Sequence, residues 1–265
     1  MSHRRLLFKA IFPLIFYFAA FYVLTYPLMG RFSTHFFTEA QLDGLQNVWN
    51  LWWVNKAVTQ LHQSPWQTYY LYYPFGVTLL AHTLNPLNGF IAVFLLIFLT
   101  IVQAYNCIVV FSFVAGGMSA FFLAYYFSKS YWGSIIAGFI FTFSSYHFVH
   151  MSGGHLQLVA LEWIPLFVLF AYRVITKPGM ANALLCALFL FLVILCDYYY
   201  FFYCVVIFCC MLIWYAIRLR SLYFFKKDHF FALVAFGVTA LAAIGPMVGA
   251  LLLLNKRDHL LGVHP

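Results

Sequence analysis

Long apolar runs separated by short polar punctuation dominate this chain from end to end. They fall at 6–29, 105–127, 132–149, 156–176, 181–196, 198–217 and 230–254, with a further run at 87–104. Each is close to the roughly 20 residues an α-helix needs to cross about 30 Å of hydrocarbon. Backbone exposed to lipid must satisfy its own hydrogen bonds, so the runs are predicted as helices. The expected fold is all-α: one transmembrane domain over 1–265, a polytopic helical bundle of about seven to eight spans.

Local features refine these elements. Leu6 to Met29 is too long for a removable secretory signal and lacks a small-residue cleavage pattern, so it is predicted to stay as an anchor. Ala115-Gly-Gly-Met-Ser-Ala120 offers small side chains for close helix contact. Gly245-Pro246 is expected to kink the last run.

The pattern changes between 30 and 104. From Gln41 to Gln63, Leu42, Leu45, Trp49 and Trp52 recur at helical spacing, while Asp43, Gln46, Asn47 and Asn50 line the neighbouring face. A helix divided in this way lies in the interface plane, with its indoles in the headgroup zone. Prolines and tyrosines over 64–77 predict turns and short packed pieces, and Pro86 restarts a helix. Residues 30–104 are therefore read as a long external loop carrying juxtamembrane helices.

Composition excludes a soluble globular domain: 65% of residues are hydrophobic and 8% charged, where about 45–50% and 25% are usual. A net charge of +8 in a membrane protein marks basic cytoplasmic loops, and no nucleic-acid partner is expected. If 87–104 crosses the membrane, nine basic residues lie outside and five inside, against the positive-inside bias. If it stays in the interface, ten are cytoplasmic and only Arg31, Lys56, Lys256 and Arg257 are external. The second arrangement is preferred: seven full spans, the N-terminus in the cytoplasm, and His35, Asp43, His62, His82, His147, His150, His155 and Asp197 on the external face. The six cysteines fall in apolar runs without metal-binding spacing and read as free, small hydrophobes.

Few residues remain to carry chemistry. Asp43 is one of six acidic residues. Its D-x-x-Q spacing to Gln46 suits a helix N-cap, and a carboxylate at the membrane surface also suits work on a lipid-linked substrate. His147, His150 and His155 surround the Gly153-Gly154 turn, where imidazoles can bind phosphate, ligate a divalent metal or shuttle protons. Their spacing matches no zinc signature, so no metal ligands are assigned. Glu162 lies within a predicted span, where a carboxylate is expensive and faces the bundle interior; the expected partner is His155 or a backbone donor freed by Pro165. Asp197, among tyrosines, marks a water boundary.

Taken together, an external Asp soon after the first span, aromatic juxtamembrane helices, Pro74-Phe75-Gly76 and the run Phe143-Ser-Ser-Tyr146, Gly154-His-Leu-Gln-Leu158 and Trp163-Ile-Pro-Leu166 resemble the GT-C superfamily of integral membrane glycosyltransferases and its bacterial relatives. The resemblance covers most of residues 1–220. It implies transfer of a sugar from a polyprenyl-phosphate carrier to an acceptor on the outer face of a bacterial inner membrane, with membrane lipid as surroundings. Asp43 then takes the place of the first-loop catalytic acid, deprotonating the acceptor or holding a divalent metal ion. His150 and His155 lie near the carrier phosphate with Glu162 in support, and Asn47 and Trp49 belong to the substrate-binding set. The chain departs from the family where Gly44 follows Asp43 directly and Glu39 stands four residues away. Family members continue through further spans and often a soluble C-terminal domain, so the resemblance implies a fragment, a truncated gene product or a reduced relative without activity. The rival class is a non-enzymatic membrane protein, either a transporter or flippase for a lipid-linked sugar or a structural subunit; a transporter would show internal repeats, and none is evident.

Overall fold

The computed structural model describes residues 3–38, 42–219, 222 and 225–261. The chain forms an all-helical membrane protein. Among the described residues, three helices are long and apolar enough to cross a membrane: α4 (Ile101–Ser128), α10 (Tyr198–Leu219) and the Lys227–Leu253 part of α11 (Lys227–Leu261). Around them stand α1 (His3–Leu24), α2 (Leu42–Thr59), α3 (Pro86–Leu95), α5 (Tyr131–Thr142), α6 (Ser145–Ser152), α7 (Leu156–Val159), α8 (Ile164–Thr176) and α9 (Met180–Cys196). A small antiparallel ladder, β1 (Gln67–Thr68) with β2 (Val77–Thr78), closes the tyrosine-rich part of the loop.

Three predicted runs are broken. The 87–104 run is α3, a turn, and the start of α4, where Thr100 and Gln103 form a reciprocal capping box. At 10 residues, α3 is about 15 Å long, half of what a crossing requires. The 132–149 run divides at Phe143 and Ser144 into α5 and α6, and 156–176 divides at 160–163 into α7 and α8. By contrast, α11 continues through Pro246 as one helix.

Small residues set the packing of α4. A side chain on Gly117 would come within 2.8 Å of the Tyr17 ring from α1, and Tyr17 crosses to α5 to donate to the Ile135 carbonyl at 3.0 Å. Three helices thus meet on one phenol, the close contact that small residues allow in lipid. One apolar cluster joins α8 to α11 through Phe167, Ile194, Phe208 and Ile244; another joins α1, α2 and α4 through Phe21, Leu51 and Phe113.

The two ends of the bundle differ. At one end, Lys129 and Lys177 approach the Tyr126 ring, at 4.7 and 5.8 Å, and His229 bonds to the Ile175 carbonyl at 3.0 Å. The other end gathers the loop after α1, α2, the turn between α6 and α7, and the junction of α9 and α10. Asn106 near the start of α4 anchors that loop, accepting from the Phe37 N–H and donating to the Phe32 and His35 carbonyls at 2.7–2.9 Å.

Candidate functional site

On α2 the side-chain amides are buried together with Leu51, Trp53, Val54 and Ala57. Asn47 and Asn50 are 2% and 1% exposed, whereas Leu45 on the far side is 61% exposed. An interfacial helix has this division when its apolar side chains meet lipid and its amides meet protein. Asp43 lies in the first turn of α2, where the helix dipole favours a negative charge. The capping reading is not what the side chains do. The Asp43 carboxylate leaves the helix, and Gln46 reaches away to bond His82 Nε2 at 3.2 Å and Thr83 Oγ1 at 2.8 Å.

Asp43 Oδ2 accepts from His155 Nε2 at 2.8 Å, joining residues 112 apart in sequence. The His155 side chain is 30% exposed and that of Asp43 56%, so the pair is open to solvent on one side. Behind it, His155 Nδ1 bonds His150 Nδ1 at 3.0 Å. With Asp43 ionised and both rings neutral, hydrogen-bond capacity fixes the tautomers: His155 carries its proton on Nε2 and accepts at Nδ1 from His150. Desolvation, and then the charge of His155, hold the His150 pKa below its ordinary value of 6.5, which favours this neutral arrangement. The Tyr146 ring packs edge-on against His150 at 4.3 Å, and the Tyr146 hydroxyl meets that of Tyr200 at 2.8 Å. Tyr200 in turn donates to the Leu158 carbonyl at 2.7 Å.

Two glycines make the meeting of Asp43 and His155 possible. Gly154 adopts φ +73°, and a side chain there would lie 2.5 Å from Gly44 Cα and 2.8 Å from Thr38 Oγ1. Backbone therefore rests on backbone directly beside both partners. Asn47 Nδ2 ties the contact by donating to the Asp43 carbonyl at 3.0 Å and the Gly154 carbonyl at 2.9 Å, and Thr38 donates to the Ser152 carbonyl at 3.1 Å.

The structure thus brings Asp43, Asn47, His150 and His155 together and leaves two expected members elsewhere. Trp49 stacks on Trp53 at 5.9 Å, against the cluster under β1 and β2. Glu162 is 1% exposed in the turn before α8. Its carboxyl oxygens, the neighbouring Ser112 hydroxyl and the Trp163 indole N–H all lack a partner of hydrogen-bonding geometry among the described residues. His155, its expected partner, is committed to Asp43. His147, expected on the external face beside His150, is fully buried. Its ring stacks on Phe113 at 3.7 Å, and its nitrogens face the Thr142 and Val159 carbonyls, each at 2.8 Å. It clips the break after α5 to the break before α8. A neutral imidazole has one N–H and so satisfies only one of these carbonyls at a time.

Among the described residues, no group of three or more His, Cys, Asp or Glu side chains is arranged to hold a metal ion. Tyr146 and Tyr200 join this site without having been assigned to it from sequence, and His82, placed from sequence only on the external face, bonds Gln46. The nearest signal was a glycine beside each partner, Gly44 after Asp43 and Gly154 before His155. Comparison with family models, curated proteins and solved structures gives no match for this chain.

Proposed function

We propose that the protein is a membrane glycosyltransferase of GT-C type, acting on a polyprenyl-phosphate sugar with Asp43 as the base. The observation that carries this reading is the 2.8 Å contact between Asp43 Oδ2 and His155 Nε2, which leaves the second carboxylate oxygen without a partner among the described residues at a solvent-open junction. In the step envisaged, an acceptor hydroxyl attacks the anomeric carbon. The new carbon–oxygen bond forms as the bond to the carrier phosphate breaks, and the electron pair leaves on the phosphate. The acceptor proton goes to Asp43. His155 orients the carboxylate and His150 fixes the His155 tautomer, as a buried partner orients an imidazole in other acid–base relays. Any divalent metal would add electrostatic relief at the phosphate.

A cleft of about 490 Å3 between α1 and α4 supports the carrier assignment. It is lined by apolar side chains including Phe18, Met29, Phe32 and Phe111. The topology that fits is seven spans with α3 held in the interface and the N-terminus in the cytoplasm of a bacterial inner membrane. The clustering of Lys129 and Lys177 opposite the Asp43 end supports this orientation.

The test is transfer from a polyprenyl-phosphate sugar in proteoliposomes. Asp43→Asn is expected to reduce turnover by about 100-fold or more while leaving the melting temperature unchanged. Turnover like that of the wild type would remove Asp43 from the chemistry.

A further inference from the structure

A second polar hollow lies at the same end of the bundle, between the 80–86 segment and the junction of α9 and α10. It measures about 330 Å3, and its lining includes His82, Asn85, Cys196, Asp197, Tyr198 and Tyr199. The Tyr198 hydroxyl closes one wall by donating to the Leu80 carbonyl at 2.6 Å. Gln46 secures another by bonding His82 and Thr83.

Its polar groups are built in and only partly used. Asn85, 3% exposed, receives the Asn88 N–H on Oδ1 at 3.4 Å, but its Nδ2 has no partner among the described residues. Asp197, 8% exposed, accepts the Tyr199 and Tyr200 N–H groups on Oδ1 at 2.8 and 3.0 Å. The buried Nδ1 of His82 is likewise without a partner among the described residues. Unmatched buried donors and acceptors of this kind are unfavourable, and an apolar occupant would leave them unmatched. An anion is disfavoured because Asp197 is among the lining residues and no Lys or Arg is. A cation is disfavoured because the Asp197 charge is already met by two backbone N–H groups at the positive end of α10. What remains is a neutral molecule offering several hydroxyls, with the Tyr198 and Tyr199 rings to lie against its carbon face.

We infer that this hollow is a binding site for a neutral polyhydroxyl ligand the size of one sugar ring. Asp197 and Asn85 supply the acceptor and the donor that select it. The site stands apart from the Asp43–His155 contact, and the inference does not require Asp43 to be a base.

The test is saturation-transfer difference NMR on the full chain in nanodiscs, with glucose, mannose, galactose and N-acetylglucosamine as separate probes and choline and inorganic phosphate as controls. At least one sugar is expected to give a signal that neither control displaces. Asp197→Asn and Asn85→Asp keep the helix-capping oxygen while altering the group offered to the ligand. Each is expected to weaken that signal at least tenfold without shifting the melting temperature, and Asp43→Asn is expected to leave it intact. Absence of signal from all four sugars, displacement by choline or phosphate, or signals unchanged in both pocket variants would each overturn the assignment.

Discussion

Asp43 and Glu162 are both carboxylates in a chain that has six acidic residues, and their surroundings are opposites. Asp43 is more than half exposed, sits in the first turn of a helix and bonds an imidazole at 2.8 Å. Glu162 is 1% exposed, and its carboxyl oxygens have no partner of hydrogen-bonding geometry among the described residues, with Ser112 and Trp163 close by. An exposed pair adds little stability, typically under about 1 kcal/mol, so the Asp43 arrangement contributes little to holding the bundle together. A buried group without partners carries a penalty that the surrounding packing must offset. Rarity in the sequence marks both residues equally; only the surroundings separate a group open to substrate from one enclosed by the core.

Charge at the buried position should have the largest effect. Glu162→Lys is expected to destabilise the bundle by more than about 4 kcal/mol, because a cation there has no partner. Glu162→Gln keeps the shape and is expected to cost less than about 1 kcal/mol. Thermal unfolding in detergent checks both, and equal melting temperatures for the two variants would mean that water reaches the site. Gly154→Val comes next, at about 1–3 kcal/mol, from its positive φ and the collision with Gly44. The same variant should abolish the proposed transfer even where the protein folds. His155→Gln should shift stability by less than about 1 kcal/mol yet slow transfer by about 100-fold. Loss of both together would make the pair structural.

The smallest effect is on pH. Burial lowers the pKa of His82, and burial with the His155 charge lowers that of His150, both from an ordinary 6.5. The unfolded chain therefore binds protons at these positions before the folded one does. Stability is full above pH 6.5 and falls as pH drops from there toward the depressed values. Asp197, raised by burial from 3.8, works in the opposite sense, losing stability as pH rises through its folded value. His150→Gln should flatten the loss measured by melting temperature between about pH 7 and pH 5.5.

Much of the α2 region was legible. Its helix and the grouping of Asn47 with Asn50 on one face follow from periodicity, whereas the inward turn of that face and the break of 87–104 at the Thr100–Gln103 capping box do not. The breaks at Phe143–Ser144 and at 160–163 were not legible either, because a run that is apolar on every side shows no period to interrupt. His147 and His150 share a helical face by spacing, yet one is enclosed against Phe113 and the other faces His155; spacing does not say what packs above each residue. The union of Asp43 with His155 was hidden because its determinant, glycine against glycine, carries no side chain to betray it.

That glycine contact also has a mechanical consequence. With the main chain of α2 resting on the turn after α6, the gap between carboxylate and ring is set by peptide planes rather than by side-chain rotation. A ligand that tilts α2 must carry the 153–155 turn along with it. A spin-label distance across this seam should therefore stay constant when substrate arrives, even as distances from α2 to the rest of the bundle change.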